Sequence, residues 1–258
     1  MSDTILETEG LTKEFRGFVA VSDVALKVRR GSIHALIGPN GAGKTTCFNL
    51  LTNFLPPTRG KITYNGRDIT HMKPAQVARL GLIRSFQISA VFPHISVLEN
   101  VRVALQRQRG GSFDFWRSES LLRQYDERAM QLLGDVGLTD YVNELAGSLP
   151  YGRKRALEIA TTLAMDPEMM LLDEPTAGMT HDDVDRIVAL VKRVAVGRTV
   201  LLVEHNLKVV QGLCDRITVL ARGQVLAEGD YASVSANPEV IAAYLGTDPA
   251  TSGAVAHV

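Results

Sequence analysis

Short apolar runs alternate with amphipathic helical stretches along most of the chain, which is typical of a layered α/β protein. Four of these runs are short, and all but residues 82–86 are almost wholly apolar, as expected for strands that are buried on both faces. They cover residues 33–37, 82–86, 169–172 and 199–203. Helical periodicity is clearest over residues 182–196, where apolar residues recur at intervals of three and four. The pattern therefore predicts a mixed or parallel sheet covered by helices.

Weaker signals predict the remaining elements. Asn65-Gly66, within residues 61–69, is a strong signal for a hairpin turn. Alternating positions predict strands at 4–9, 18–28, 216–220 and 224–228, and helical patterns predict helices at 75–80, 152–165 and 238–245. The last residues, 247–258, are small and polar, and we expect a flexible tail there.

Residues 88–150 differ in character from the rest of the chain. Helical periodicity covers residues 97–108 and 117–134, and the link at 110–116 resembles a loop. We interpret this region as a helical insertion within one domain. Four arginines make it locally basic, and they form either a solvated helical face or a docking surface: Arg107, Arg109, Arg117 and Arg123.

Composition narrows the possible functions. The 258 residues carry 28 Lys and Arg against 28 Asp and Glu, so a globally basic nucleic-acid-binding surface is not expected. Two cysteines, Cys47 and Cys214, do not indicate a disulfide framework. Neither a signal peptide nor an apolar run of about 18 residues is visible. We therefore expect a protein that reaches a membrane only through a partner.

The stretch GPNGAGKTT follows the first apolar run and precedes a helical one. This is the pattern and the context of a phosphate-binding loop, in which glycines let successive amides point at one anion. Lys44 is predicted to reach the β- and γ-phosphates, and the Thr45 hydroxyl to bind Mg²⁺. The predicted nucleotide-binding residues are Gly38, Pro39, Asn40, Gly41, Ala42, Gly43, Lys44, Thr45 and Thr46. The loop alone leaves a kinase, a GTPase and an ATP-driven motor open.

Polar residues follow the other three apolar runs: Gln87, Asp173-Glu174 and Glu204-His205. Ligands of open parallel sheets bind outside the carboxyl ends of the strands, so we expect these groups to converge on one triphosphate. Asp173 is predicted to lie on the Mg²⁺ side, and Glu174 to activate a water molecule. His205 could hydrogen-bond the γ-phosphate. Phe15, nearer the N-terminus, could stack on a base or belong to the core.

Taken in order, these motifs resemble those of the ATP-binding cassette (ABC) ATPases over residues 4–246. Gly38–Thr46 is similar to the Walker A loop, Met169–Glu174 to Walker B with its catalytic glutamate, and Ala177–Thr180 to the D-loop. Gln87 resembles the Q-loop glutamine, which in the family binds nucleotide and metal. His205 resembles the switch histidine, and Phe15 resembles the aromatic residue that stacks on adenine. A GTPase would need the guanine-reading N-K-x-D motif, which the sequence lacks.

The resemblance implies a P-loop NTPase core with a mixed or parallel sheet, an N-terminal antiparallel β subdomain and an inserted α-helical subdomain. The core would comprise residues 1–87 and 151–246, and the insertion residues 88–150. ATP and Mg²⁺ are the implied ligands, and Lys44, Glu174 and His205 the implied catalytic residues.

A further segment resembles the family's signature motif, which faces the ATP of a second cassette in a head-to-tail dimer. It comprises Leu149, Pro150, Tyr151, Gly152 and Arg153. Pro150 stands where the family usually has a serine, and proline offers neither a hydroxyl nor an N–H group. The resemblance therefore implies a second ATPase subunit, identical or different, with an atypical contact.

Several strings most resemble the cytoplasmic ATPases of branched-chain amino acid importers, among them FRGFVAVSDV, RSFQ, LPYGRKRALEIA and NPEVIAAYLG. That likeness implies membrane permease subunits, an indirect solute-binding protein and a position on the cytoplasmic face of the inner membrane. Relatives of this importer class move other amino acids, amides or urea. A soluble cassette, such as one for iron–sulfur cluster assembly, and an export or envelope-lipid cassette are the alternatives.

Overall fold

A computed structural model of the chain describes residues 3–85, 91–106 and 124–245. The chain divides into two compact units, one formed by residues 1–79 and 199–258 and the other by residues 80–198.

The described residues form strands and helices in alternation after an N-terminal group of strands. The strands are β1 (Thr4–Phe15), β2 (Phe18–Val24), β3 (Lys27–Arg29), β4 (Ile33–Ile37), β5 (Arg59–Tyr64), β6 (Arg67–Asp68), β7 (Leu82–Arg84), β8 (Met169–Asp173), β9 (Thr199–Val203), β10 (Arg216–Ala221) and β11 (Gln224–Gly229). The helices are α1 (Lys44–Leu51), α2 (Pro74–Arg79), α3 (Val97–Gln106), α4 (Asp126–Asp135), α5 (Tyr151–Leu163), α6 (His181–Val194), α7 (Leu207–Leu213), α8 (Tyr231–Ser235) and α9 (Pro238–Leu245).

The first unit contains an antiparallel sheet built around β1. This strand pairs with β2, β3 and β5, and β6 extends the sheet beyond β5. The turn between β5 and β6 places Asn65 and Gly66 at φ 50° and 74°, the left-handed pair that a tight hairpin with right-handed twist requires. The predicted hairpin and the predicted antiparallel β subdomain are both confirmed.

The first unit also contains three parallel strands, β10, β4 and β9, with β11 added antiparallel to β10. Leu36 of β4 lies opposite Val203 of β9, so the carboxyl ends of these two strands meet at the same edge. All five residues of β9 are buried, as the apolar run predicted.

In the second unit, β7 pairs parallel with β8, and Arg84 lies opposite Leu171. All five residues of β8 are buried, including Asp173 at its end. Helices α3, α4 and α5 pack against one another and contribute buried apolar side chains to this unit: Val97, Val101, Leu105, Ala129, Leu132, Leu133, Leu157, Ile159, Ala160 and Leu163. Helices α3 and α4 lie in the region that we interpreted as a helical insertion.

The secondary structure differs from the prediction mainly at element ends. β1 continues to Phe15, beyond the predicted end at residue 9, and α7 and α8 were not predicted. Gln87, the four arginines between residues 107 and 123, and the predicted tail lie outside the described residues. No helix in the described ranges combines the length and the apolar character needed to cross a membrane.

Candidate functional site

The loop between β4 and α1 is shaped by glycines at close approaches. A Cβ on Gly38 would collide with the carbonyl oxygen of Leu220, and one on Gly43 would lie 2.6 Å from that of Ala20. Gly41 and Gly43 have φ of 79° and 97°, a conformation that glycine adopts without steric cost. The loop is thus folded more tightly than chains with side chains allow, as an anion-binding nest requires.

A second turn holds this loop in place. The amide of Gly223, between β10 and β11, donates to the carbonyl of Ala42 at 3.0 Å, and Gly223 accepts from Ser22 at 2.8 Å. Asn40, Gly41 and Thr45 nevertheless face solvent. The loop therefore combines a fixed backbone with an accessible outer surface, including the Thr45 hydroxyl predicted to bind Mg²⁺.

Lys44 begins α1 and lies largely buried in the loop. Its Nζ donates to the carbonyls of Gly38 and Pro39, at 2.7 and 3.0 Å. These bonds curl the side chain back over the loop that precedes it, so the ammonium group lies beside the backbone of that loop. The adjoining helix start has no acidic residue in its first turn, so its positive dipole end is not neutralised there.

The end of β9 places His205 at the surface and Glu204 in the interior. The Glu204 carboxylate accepts from the amides of His205 and Asn206, at 3.2 and 3.4 Å. Asn206 in turn caps α7 through its side chain. The buried glutamate therefore shapes the turn that presents the exposed histidine, beside the strand that leads into the glycine loop.

Phe15 is 43% exposed at the end of β1, opposite Phe18 on β2. The alternative that Phe15 belongs to the core is therefore wrong. The Lys13 ammonium lies 5.2 Å from the centre of the Phe15 ring. An exposed aromatic face of this kind can stack on a base.

In the second unit, Asp173 ends β8 and lies almost fully buried. Its Oδ2 accepts from Arg84 Nη2 at 2.6 Å. Arg84 reaches this carboxylate because β7 runs parallel to β8 and ends beside it. The string RSFQ contains Arg84, but no pattern around this residue predicted a role for it.

Glu174, the next residue, leaves the strand with a left-handed backbone at φ 46°. A residue with a Cβ seldom adopts this conformation, and such residues cluster at functional sites. A tight turn follows, closed by a 3.1 Å hydrogen bond from the Ala177 amide to the Glu174 carbonyl.

The predicted signature segment forms the start of α5. Pro150 occupies the N-cap position with an extended backbone and no side-chain cap. Its carbonyl accepts from the amides of Arg153 and Lys154, both at 3.0 Å.

The other residues of the segment differ in exposure. Leu149 is buried, Tyr151 is exposed, and the Arg153 guanidinium stacks 4.0 Å from the centre of the Tyr141 ring. The Gly152 Cα faces Asp183 so closely that a Cβ would lie 3.0 Å from that carboxylate.

One turn further along α5, sequence reasoning missed a buried charge pair. Arg155 Nη1 donates to Glu158 Oε2 at 2.6 Å, and Arg155 Nη2 donates to the main-chain carbonyl of Asp173, also at 2.6 Å. Burial raises the pKa of the Glu158 carboxyl, and the neighbouring Arg155 opposes that rise. Charged residues at i and i+3 of a helix with an apolar face were the available signal.

The described residues contain no group of three or more His, Cys, Asp and Glu side chains that could hold a metal. Mg²⁺ needs no such group when it binds through one or two protein oxygens together with substrate phosphates and water. The exposed Thr45 hydroxyl is an oxygen donor of the kind this ion prefers, so this residue fits it.

The strand order and the glycine loop define a nucleotide-binding protein of the P-loop class. A sequence profile described as "ABC transporter" matches residues 21–177. A second, described as "Branched-chain amino acid ATP-binding cassette transporter", matches residues 224–250. The chain therefore belongs to the ABC transporter family and is an ATP-binding cassette ATPase.

Named relatives extend this result over nearly the whole chain. The high-affinity branched-chain amino acid transport ATP-binding protein BraF of Pseudomonas aeruginosa is 41% identical over 256 residues, covering 95% of this chain and 99% of the relative. The high-affinity branched-chain amino acid transport ATP-binding protein LivG of Escherichia coli K12 is 39% identical over 253 residues, at the same coverage.

Solved structures agree with the fold. The ADP conformation of MJ1267, an ATP-binding cassette of an ABC transporter, superimposes with a TM-score of 0.83 at 30% identity. The superposition covers 95% of this chain and 100% of the MJ1267 chain. The predicted α/β P-loop fold is thus confirmed.

Proposed function

We propose that this chain is the ATP-hydrolysing subunit of an importer for branched-chain or related amino acids. The observation that carries the proposal is the glycine loop, in which Gly38 and Gly43 admit no side chain and Lys44 curls back over the backbone. The transport of branched-chain amino acids by the systems of BraF and LivG, together with the match over residues 224–250, supports the choice of solute class.

Binding of ATP is assigned to the first unit. Residues 38–46 hold the triphosphate through backbone amides, and the Lys44 ammonium pairs with the β- and γ-phosphates. Charge-assisted hydrogen bonds of this kind contribute about 1.5–3 kcal/mol each. The exposed ring of Phe15 stacks on adenine, and the exposed His205 bonds the γ-phosphate. Gln87 is proposed to contact nucleotide and metal.

Hydrolysis is assigned to the two residues at the end of β8. Thr45, Asp173 and Gln87 would hold Mg²⁺, which when bound neutralises charge on the phosphates. Glu174 accepts a proton from the attacking water, while Lys44 and His205 stabilise the γ-phosphate. A positioned general base contributes about 10²–10⁴ in rate.

The signature segment is proposed to face the ATP of a second cassette, identical or different. Helix α5 starts after Pro150 and has no acidic residue in its first turn. The positive end of its dipole therefore favours an anion there. Tyr151, Gly152 and Arg153 would surround that anion, while Leu149 of the same segment is buried. Pro150 lacks the hydroxyl of the serine that is usual at this position in the family.

Permease subunits in the membrane and, indirectly, a solute-binding protein complete the proposed importer. The chain would then lie at the cytoplasmic face of the inner membrane, and ATP binding would close the dimer of cassettes. Residues 1–258 would act as one ATPase domain in which the helical insertion at 88–150 transmits this movement to the permease.

The test has two arms. In the first, Glu174→Gln is expected to keep the affinity for ATP and to slow hydrolysis by at least about two decades. Near-normal turnover would remove Glu174 as the base. In the second, the tagged protein is extracted in detergent from its own membranes. Co-purified multi-span subunits that bind branched-chain amino acids through an associated binding protein support the importer, whereas soluble assembly partners contradict it.

A further inference from the structure

Two buried arginines contact Asp173, one at its carboxylate and the other at its main-chain carbonyl. Arg84 Nη2 lies 2.6 Å from Oδ2, and Arg155 Nη2 lies 2.6 Å from the carbonyl oxygen. Arg84 comes from β7 and Arg155 from α5, so elements more than sixty residues apart meet at one residue. Neither contact follows from the resemblance to the family's motifs.

The carbonyl that Arg155 contacts belongs to the peptide group that joins Asp173 to Glu174. Glu174 has a left-handed backbone, at φ 46°, which a residue with a Cβ adopts only when its surroundings impose it. A charge-assisted hydrogen bond to the preceding carbonyl fixes the plane of that peptide group. It therefore fixes the direction in which Glu174 leaves β8.

Arg155 is itself held in one orientation. Its Nη1 donates to Glu158 while its Nη2 donates to Asp173, and the side chains of Arg155 and Glu158 are only 6% and 2% exposed. The planar guanidinium presents several N–H donors in a fixed arrangement and so contacts two separated acceptors at once. The lysine ammonium is a compact point charge and has no such arrangement.

We propose that Arg155 and Arg84 are positioning residues that clasp Asp173 and thereby hold Glu174 in its working orientation. This arginine clasp rests on the proposed role of Glu174 as the base. A purely structural ion pair would instead affect the stability of the folded protein and leave the turnover of each folded molecule unchanged.

The main variant is Arg155→Met combined with Glu158→Leu. Arg155→Met alone would leave the Glu158 carboxylate buried without its cation, and the protein could fail to fold. The double variant removes both charges and the bond to Asp173 together. Since a displacement of about 1 Å can cost about 10²-fold in rate, we expect kcat to fall about 10- to 100-fold. The Kd for ATP should stay within about twofold, because the phosphate-binding loop is unchanged.

Arg102→Met is the matched control. Arg102 is also largely buried in the second unit and pairs with Asp126 at 2.6 Å. Its loss should lower the melting temperature while kcat stays within about twofold.

Arg84 is tested by a pair of variants. Arg84→Lys keeps a cation beside Asp173 and should retain more of kcat than Arg84→Met.

Repeating the double variant in a Glu174→Gln background separates the clasp from the proposed function. If the clasp acts through Glu174, the second change should lower the residual rate by less than about twofold. Unchanged kcat in the double variant, or the same proportional loss with and without Glu174, would overturn the clasp. Normal turnover of Glu174→Gln alone would overturn the role of the base, and the clasp with it.

Discussion

His34 lies in β4, just before the glycine loop, and is fully buried. Its Nε2 is 2.8 Å from the Thr218 hydroxyl, which donates its only hydrogen to the Glu228 carboxylate at 2.9 Å. The hydroxyl must therefore accept from His34 Nε2–H, and the lone pair lies on Nδ1. That atom is buried and has no hydrogen-bond partner in the described part of the chain.

Protonation of His34 would place a charge on this buried nitrogen. Burial is the main cause that lowers its pKa from 6.5 to about 4; Arg216 lowers it further, and Glu228 opposes the shift. The unfolded chain thus binds more protons than the folded one between these two values, so stability falls as the pH falls from about 6.5 to 4. At about 1.36 kcal/mol for each step of 1 in pKa, the lowering of the His34 pKa from 6.5 to about 4 corresponds to about 3 kcal/mol.

The assay is the free energy of unfolding in urea at several pH values between 7.5 and 4. His34→Gln keeps an amide that can donate to Thr218 but cannot be protonated. The unfolding free energy of the wild type, relative to that of His34→Gln, should therefore fall by about 3 kcal/mol as the pH falls to 4. His71→Gln, at an exposed position, is the control. An identical pH dependence in wild type and His34→Gln would refute the reasoning.

Three further predictions concern the site and the thiols. Pro150→Ser restores a hydroxyl at the start of α5 and should leave ATPase activity unchanged or raise it; a large loss would show that the signature contact is built differently. Lys44→Ala should weaken ATP binding at least tenfold in equilibrium titration, since it removes a bond of about 1.5–3 kcal/mol; unchanged affinity would contradict the loop assignment. Burial raises the pKa of Cys47 to about 12, so this buried thiol should not react with a thiol reagent at pH 8 until the protein is unfolded. Partial burial, with Asp215 and Glu204 nearby, raises the pKa of Cys214 to about 12 as well, so this thiol should react only slowly. Rapid labelling of the native protein would contradict that burial.

The elements that were predicted well have local causes. The hairpin follows from Asn65-Gly66, a residue pair that accepts two successive left-handed conformations at low cost. The run 199–203 coincides with β9, because five apolar residues in a row suit a strand that is buried on both faces. The helix at 238–245 likewise coincides with α9.

The elements that were missed depend on contacts with distant residues. β1 extends to Phe15 because its second half pairs with β2, although its residues alternate poorly. The short helix α7 is set by the side-chain cap of Asn206, whose turn depends on the buried Glu204. A short stretch of sequence shows neither which strand will pair with it nor which of its residues will be buried.

Consecutive positions of the chain are enough to infer the phosphate-binding loop, the residue types at the strand ends and the family. The folded structure was needed to show that Phe15 is exposed, that Glu174 has a left-handed backbone, and that Arg84 and Arg155 meet at Asp173. The physical reason is that a guanidinium finds its acceptor by proximity in space. The parallel pairing of β7 with β8 and the packing of α5 create that proximity, and no spacing along the chain encodes it.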